Sequence, residues 1–139
     1  MLAALDGDDA AFDVPGRGGP RGTLAPDAAA AYLADPAVLH WVAEEGGTPV
    51  GHLLCYVERR RRGDERQLLL YEIGVRSDRR RRGVGRALVE AMEDWMRAED
   101  VAEAWVLSDP EAEPFYAACG FVRSEDPAVP MERRLSARA

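Results

Sequence analysis

The apolar positions of this chain fall into several strand-length clusters and one long helical stripe. Residues 68–75, Leu-Leu-Leu-Tyr-Glu-Ile-Gly-Val, form a run short enough for a strand and mostly apolar on both faces, with Glu72 its one charge. After a polar turn, Val84, Ala87, Leu88, Ala91, Met92, Trp95 and Met96 recur at i, i+3, i+4, i+7, i+8, i+11 and i+12. That single stripe on a 3.6-residue period predicts a helix. Upstream, Pro26 and Asp27 open a helix through Leu33, residues 40–44 read as a strand, and 45–49 as its turn. Residues 50–57 are the next strand, with Val50, His52, Leu54 and Tyr56 on one alternating face, and 59–66 a charged hairpin loop. Downstream, 104–107 is a further core strand. Asp109 as N-cap and Pro110 at the first helical position start a second helix, with Ala112, Phe115, Tyr116 and Cys119 as its apolar face and Gly120 as its end. Strands at 121–123 and 129–135 complete the order β-β-β-α-β-α-β-β, an α/β chain on a mixed sheet. Residues 1–25, rich in Gly, Pro, Asp and Ala, predict an irregular N-terminal arm ahead of a single domain over 26–139.

The junction between the 68–75 strand and the long helix carries the chemistry. A strand delivers the chain to a helix N-terminus, where unpaired N–H groups and the positive end of the dipole lie. Gly83 and Gly85 allow close approach of a ligand to the backbone, and Arg79, Arg80, Arg81 and Arg82 add cationic charge. Such a junction suits an anionic, pyrophosphate-like group. A solvated arginine run before an ordinary helix is the plainer alternative. Two familiar phosphate motifs are excluded: the chain contains no lysine for a P-loop, and Leu88 stands where a dinucleotide fingerprint needs a third small residue.

What fits is R-x-x-G-x-G, Arg80 to Gly85, joined farther on by F-Y-x-x-x-G-F, Phe115 to Phe121. With these two motifs the chain resembles the GNAT superfamily of N-acetyltransferases from about His40 to Leu135. The resemblance implies a central, mostly antiparallel sheet whose fourth and fifth strands splay apart between flanking helices. It implies acetyl-CoA as co-substrate and no metal, with Arg80, Arg81, Arg82, Gly83, Val84, Gly85 and Arg86 around the diphosphate. It also implies that the backbone N–H groups of Ile73 and Val75 hold the thioester carbonyl, and Gly74 between them suits a bulge.

Acetyl transfer to an amine needs a base for the amine proton, a donor for the developing oxyanion and an acid for the departing thiolate. The resemblance gives the acid role to Tyr116, a phenol that is protonated at neutral pH; packing within its helix is the alternative. Glu72 is the candidate base, because a carboxylate kept inside an apolar strand is costly unless it is used or paired. A salt bridge to a neighbouring arginine is its alternative. His40 and His52 read as strand residues that fill core positions. Two features depart from the family pattern: its first strand and helix are not evident in residues 1–25, and Ser108-Asp109 replace an asparagine that often contacts the pantetheine arm.

Tyr71-Glu72-Ile73-Gly74-Val75 and the acidic connection from Ser108 to Glu113 resemble the aminoglycoside 3-N-acetyltransferases of this superfamily and their environmental relatives. That resemblance implies an aminoglycoside amine, the 3-amino group among others, as acceptor, contacted by Tyr71, Glu72, Asp109, Glu111 and Glu113. N-cap service for Asp109 and ordinary surface placement for Glu111 and Glu113 stay open. So do three rival functions: transfer to peptide N-termini or another small amine, a non-catalytic acyl-CoA-binding module, and nucleic-acid binding by the arginine blocks.

Charge weighs on that last rival. The 139 residues carry a net charge of −7, and from Glu90 to Glu113 nine carboxylates face the single Arg97. Such a surface disfavours nucleic acid and favours a cationic small molecule. No apolar run approaches the length of a membrane span, and the N-terminus has three aspartates and no basic region of the signal-peptide kind. Cys55 and Cys119 lack disulfide or metal spacing and read as buried thiols in a reducing, cytoplasmic setting. An all-arginine basic set with abundant alanine suits a high-GC bacterial source. Relatives in the family are often dimers, so a homodimer is the assembly the resemblance implies.

Overall fold

A computed structural model of the chain describes residues 25–61, 63, 65–126 and 128–136. The irregular arm expected over 1–25 therefore lies, apart from Ala25, outside the described residues. By its contacts the chain divides into two compact units, Met1–Leu107 and Ser108–Ala139. The first unit contains helix α1 (Pro26–Ala34), strands β1 (Val38–Glu45), β2 (Thr48–Arg59) and β3 (Arg66–Val75), helix α2 (Val84–Ala98) and the short strand β4 (Ala104–Trp105). The second contains helix α3 (Glu113–Ala118).

The sheet has the order β1-β2-β3-β4, with the first three strands antiparallel and β4 parallel to β3. It is the mixed sheet flanked by helices that the sequence predicts. Its first hairpin turns on Gly46 and Gly47, at φ +59° and +81°. A two-residue turn with both central residues left-handed matches strand twist, and glycine adopts it without penalty. β2 is the core of the sheet, with Leu53 and Cys55 wholly buried, and Leu68 and Leu70 of β3 are equally enclosed. The expected strand over 104–107 contracts to Ala104 and Trp105, paired with Leu68 and Leu69. Two residues beyond that point β3 bulges, at Tyr71, and among the described residues the ladder with β4 does not continue.

Helix α2 lies against one face of the sheet. A Cβ on Gly51 of β2 would stand 2.8 Å from Val84 Cγ1 and 3.2 Å from both Leu88 Cδ1 and the Gly74 carbonyl oxygen, so only glycine lets the helix approach. The Cys55 thiol donates to Met92 Sδ at 3.7 Å on the same face. The buried stripe of α2 is Gly85, Leu88, Val89 and Met92. Ala87, expected on that stripe, is exposed. Val89 has more apolar surface to bury than a lone methyl, and the helix is rotated to bury it.

Three expectations near the C-terminus need correction. α3 starts at Glu113 with Ala112 as N-cap and Pro114 in its first turn, so Asp109 and Pro110 do not open the helix. Residues 110–112 form a turn before it, closed by Ala112 N–H donating to Asp109 O at 3.0 Å. No strand forms at 121–123 or at the described residues of 129–135. Val122, Val129 and Met131 are 79–90% exposed, so little apolar burial offsets the ordering of a strand, and Pro130 can donate no ladder bond. Among the described residues no helix is long and apolar enough to cross a membrane.

Candidate active site

The chain leaves β3 through a 3₁₀ turn at Ser77–Arg79. Arg79 Nε donates to Glu45 Oε2 at 2.7 Å, tying this turn to the end of β1. That hydrogen bond, and then the charges of Glu45 and Asp78, raise the Arg79 guanidinium above its ordinary value. Arg80 Nε donates to the Val75 carbonyl at 3.1 Å and so folds back over the end of β3. Two of the four clustered arginines, Arg79 and Arg80, thus serve the turn itself, and Arg80, Arg81 and Arg82 are all exposed. Arg86, in the first turn of α2, is exposed as well.

The backbone of this turn leads into the N-terminus of α2. Arg81 and Gly83 both sit in the left-handed region, at φ +62° and +81°. Arg80, just before them, is extended, at φ −66° and ψ 153°. Gly83 is the N-cap of α2 and makes no side-chain cap, and the helix has no acidic residue in its first turn. The first N–H groups of a 15-residue helix are therefore left without a side-chain cap at its positive end. A Cβ on Gly83 would meet nothing within 4 Å, so its own fold demands glycine there for the dihedral alone. Val84 and Gly85 follow, Val84 half-buried and Gly85 buried.

The end of β3 lies beside this turn in the chain. Arg76 N–H donates to Val50 O on β2 at 2.9 Å. Antiparallel ladders alternate, so Glu72 and Gly74 also direct their N–H groups toward β2, and those of Ile73 and Val75 point to the opposite edge. Among the described residues no strand pairs with that edge beyond Leu69. The bulge is not at Gly74, which pairs regularly with His52. It falls at Tyr71, because Leu54 faces Glu72 while the next residue, Cys55, faces Leu70. The mobile choice of glycine is unnecessary there, since the extra residue points outward and Tyr71 is 52% exposed.

Glu72 faces away from α2. Its Oε1 lies 3.8 Å from Nε2 of His52, whose side chain is only 8% exposed. His52 Nδ1 is in turn 3.3 Å from Nε2 of His40 on β1. The His40 ring stands edge-on to Tyr32 of α1, with centroids 6.3 Å apart. Tyr56 and Tyr71 lie edge to face on the same side of the sheet. Burial, and then the charges of Tyr71 and Glu72, push the Tyr56 phenol up. Neither histidine stands out in the sequence as more than a core filler. The Gly46-Gly47 hairpin alone would set His40 opposite Leu53, on the face away from His52; a register shift between Ala43 and Glu44 moves His40 opposite Leu54 and puts it on one face with His52.

In the second unit Tyr116 is buried, with its ring edge-on to Phe115 and Phe121 at centroid distances of 5.3 and 5.5 Å. Phe121 N–H donates to the Tyr116 carbonyl at 3.0 Å, and Gly120 takes the left-handed conformation that ends α3. Glu113 is ion-paired with Arg123, whose Nη2 donates to its Oε2 at 2.8 Å. This partner holds the Glu113 carboxyl below its ordinary value and takes up its charge. Asp109 is half-buried and Glu111 exposed.

A family model described as "Acetyltransferase (GNAT) family" matches residues 10–121. No curated protein matches by sequence. Among solved structures, an aminoglycoside acetyltransferase from an uncultured soil metagenomic sample, in complex with sisomicin, has a TM-score of 0.74 at 19% identity over 92% of this chain and 83% of that one. A protein of Agrobacterium tumefaciens assigned to the acetyltransferases has a TM-score of 0.76 at 25% identity, covering 94% and 93%. An aminoglycoside N-acetyltransferase in complex with CoA has a TM-score of 0.64 at 21% identity, covering 76% and 83%.

Proposed function

The chain belongs to the GNAT acetyltransferase family, and from that premise we propose that it transfers acetyl from acetyl-CoA to a primary amine of an aminoglycoside, by direct attack in a ternary complex. The observation that carries the donor half is the α2 N-terminus without a side-chain cap, entered through left-handed Arg81 and Gly83. Its residues suit a diphosphate: backbone N–H groups, the helix dipole, and exposed guanidinium groups on Arg81, Arg82 and Arg86. Acetyl-CoA supplies the activated acyl group. The N–H groups of Ile73 and Val75 are the donors for its carbonyl, and Glu72 receives the proton of the attacking amine. Tyr116 is the acid toward the thiolate.

The acceptor half is supported by solved relatives that are aminoglycoside acetyltransferases, one of them in complex with sisomicin. It is supported too by acidic groups suited to a polycation, with Tyr71, Glu72, Asp109 and Glu111 as acceptor residues. Glu113, already matched by Arg123, has less charge to offer. The 3-amino group is the position that the resemblance of residues 71–75 favours.

The test is release of CoA thiol from acetyl-CoA with gentamicin-type and kanamycin-type aminoglycosides, polyamines and peptides as acceptors. Turnover with aminoglycosides well above the rest is expected; turnover confined to peptides would replace the acceptor. Gly83→Asp should abolish acetyl-CoA binding by calorimetry, because it strains the dihedral and sets a carboxylate against the diphosphate. Tyr116→Phe should slow turnover by roughly 10²-fold or more while acetyl-CoA affinity holds. An unchanged rate would return Tyr116 to a packing role.

A further inference from the structure

Amine acetylation leaves a proton on the base, and a base on a half-buried strand must pass it on before the next turnover. Glu72 has a built route behind it. His52 is the one buried polar residue in the described core, and a buried imidazole without partners is costly. Its neighbours include the Glu72 carboxylate at 3.8 Å and His40 Nε2 at 3.3 Å. These three side chains come from three adjacent strands, and His40, on β1, the outermost of the described strands, is only half-buried. Among the described groups facing the pair are Tyr32 from α1 and Glu72 from β3, with Tyr56 of β2 on the same face beside Glu72. Glu72 is the carboxylate that ion-pairs with His52.

We propose that His52 and His40 are positioning residues for the acetyl transfer, an imidazole pair that orients Glu72 and carries its proton away. The proposal rests on the acetyltransferase reading above and extends it to the proton's exit. The starting state has one proton on Nδ1 of each neutral ring, so that His52 Nδ1–H donates to His40 Nε2. The amine nitrogen loses its proton to the Glu72 carboxylate as it attacks. A shift of about 1 Å brings Glu72 within hydrogen-bond reach of His52 Nε2. Nε2 takes the proton, and His52 Nδ1–H passes to His40 Nε2. His40 then holds two protons and releases one from Nδ1. One proton enters at the amine and one leaves at His40, and both rings finish as the Nε2–H tautomer, which must exchange its proton before the pair can carry a second one.

The experiment compares wild type with His52→Asn, His40→Asn and Glu72→Gln. With the best acceptor from the thiol-release screen, both histidine variants should lose about tenfold in kcat, shift the acid limb of the pH profile, and keep wild-type acetyl-CoA affinity. Profiles that overlay wild type in His40→Asn, the less buried site, would overturn the proposal. The second measurement needs no turnover and covers the case that His52→Asn fails to fold. NMR titration of the two imidazoles in wild type should show coupled steps, and Glu72→Gln should lower the His52 midpoint by removing its anionic partner. Independent single steps, unmoved in Glu72→Gln, would sink the pair. A wild type that consumes acetyl-CoA with no amine would defeat the acetyltransferase reading instead, and the titration would still decide the pair.

Discussion

The two faces of this sheet are built from the same three strands and have opposite characters. On the α2 face, register aligns Gly51, Leu53 and Cys55 of β2 with Val75, Ile73 and Leu70 of β3, against Leu88 and Met92. On the other face the same ladder aligns His40, His52 and Glu72, with Tyr56 and Tyr71 beyond. The bulge at Tyr71 is what keeps them apart. In an unbroken strand Glu72 would share a face with Leu68 and Leu70, because side chains alternate with period two. The extra residue moves Glu72 to the histidine side and sends Ile73 beneath α2. One face therefore holds the fold, and the other is free to hold polar groups in fixed positions.

If that division is real, damage to the α2 face should cost stability and spare the polar face. The largest effect is expected from Met92→Ala. Met92 is 1% exposed and accepts the Cys55 S–H, so truncation removes about 2–5 kcal/mol by lost transfer energy and cavity. Chemical denaturation reads this as a lower midpoint, and the imidazole titrations of His40 and His52 should not move. Gly51→Ala comes next, at about 1–3 kcal/mol, because the new methyl meets the β-branched Val84 and a backbone carbonyl that cannot step aside. A variant as stable as wild type would mean that α2 shifts outward easily, and the close packing of that face would lose its meaning.

These contrasts explain what the sequence discloses and what it withholds. The α2 helix, the three long strands and the glycine turn are legible because each rests on local information: a 3.6 period, an apolar run, a pair of glycines. The R-x-x-G-x-G turn between β3 and α2 is legible for the same reason, since its residues are contiguous. The His40–His52–Glu72 line is not, because it exists only across three strands and depends on two register shifts, at Ala43/Glu44 and at Leu54/Cys55, that no local pattern marks. Gly74 drew the expectation of a bulge by composition, yet the ladder bulges at a tyrosine whose side chain can point to solvent. The strands expected at 121–123 and 129–135 have the right alternation but almost no burial, and pattern without burial does not order a chain.

The smallest predicted effect is a chemical one, and it probes the dry face without a mutation. Cys55 is wholly buried, and that burial pushes its thiol from an ordinary value of 9.0 up to about 12. Cys119, in the second unit, is only half-buried. Thiolate is the reactive form, so at pH 8 iodoacetamide should label Cys119 readily and Cys55 only through opening of the fold. The sign of the pH effect follows from the same shift. Below about 9 both folded and unfolded states hold the Cys55 proton, and its contribution to stability is complete. As pH rises from 9 toward 12 the unfolded chain ionises first, and stability falls by up to about 1.4 kcal/mol per pH unit from this group. Met92→Ala should speed Cys55 labelling in proportion to its loss of stability, and Glu72→Gln, on the far face, should not. Equal labelling of the two cysteines in the wild type at pH 8 would show that the α2 face is not closed to water.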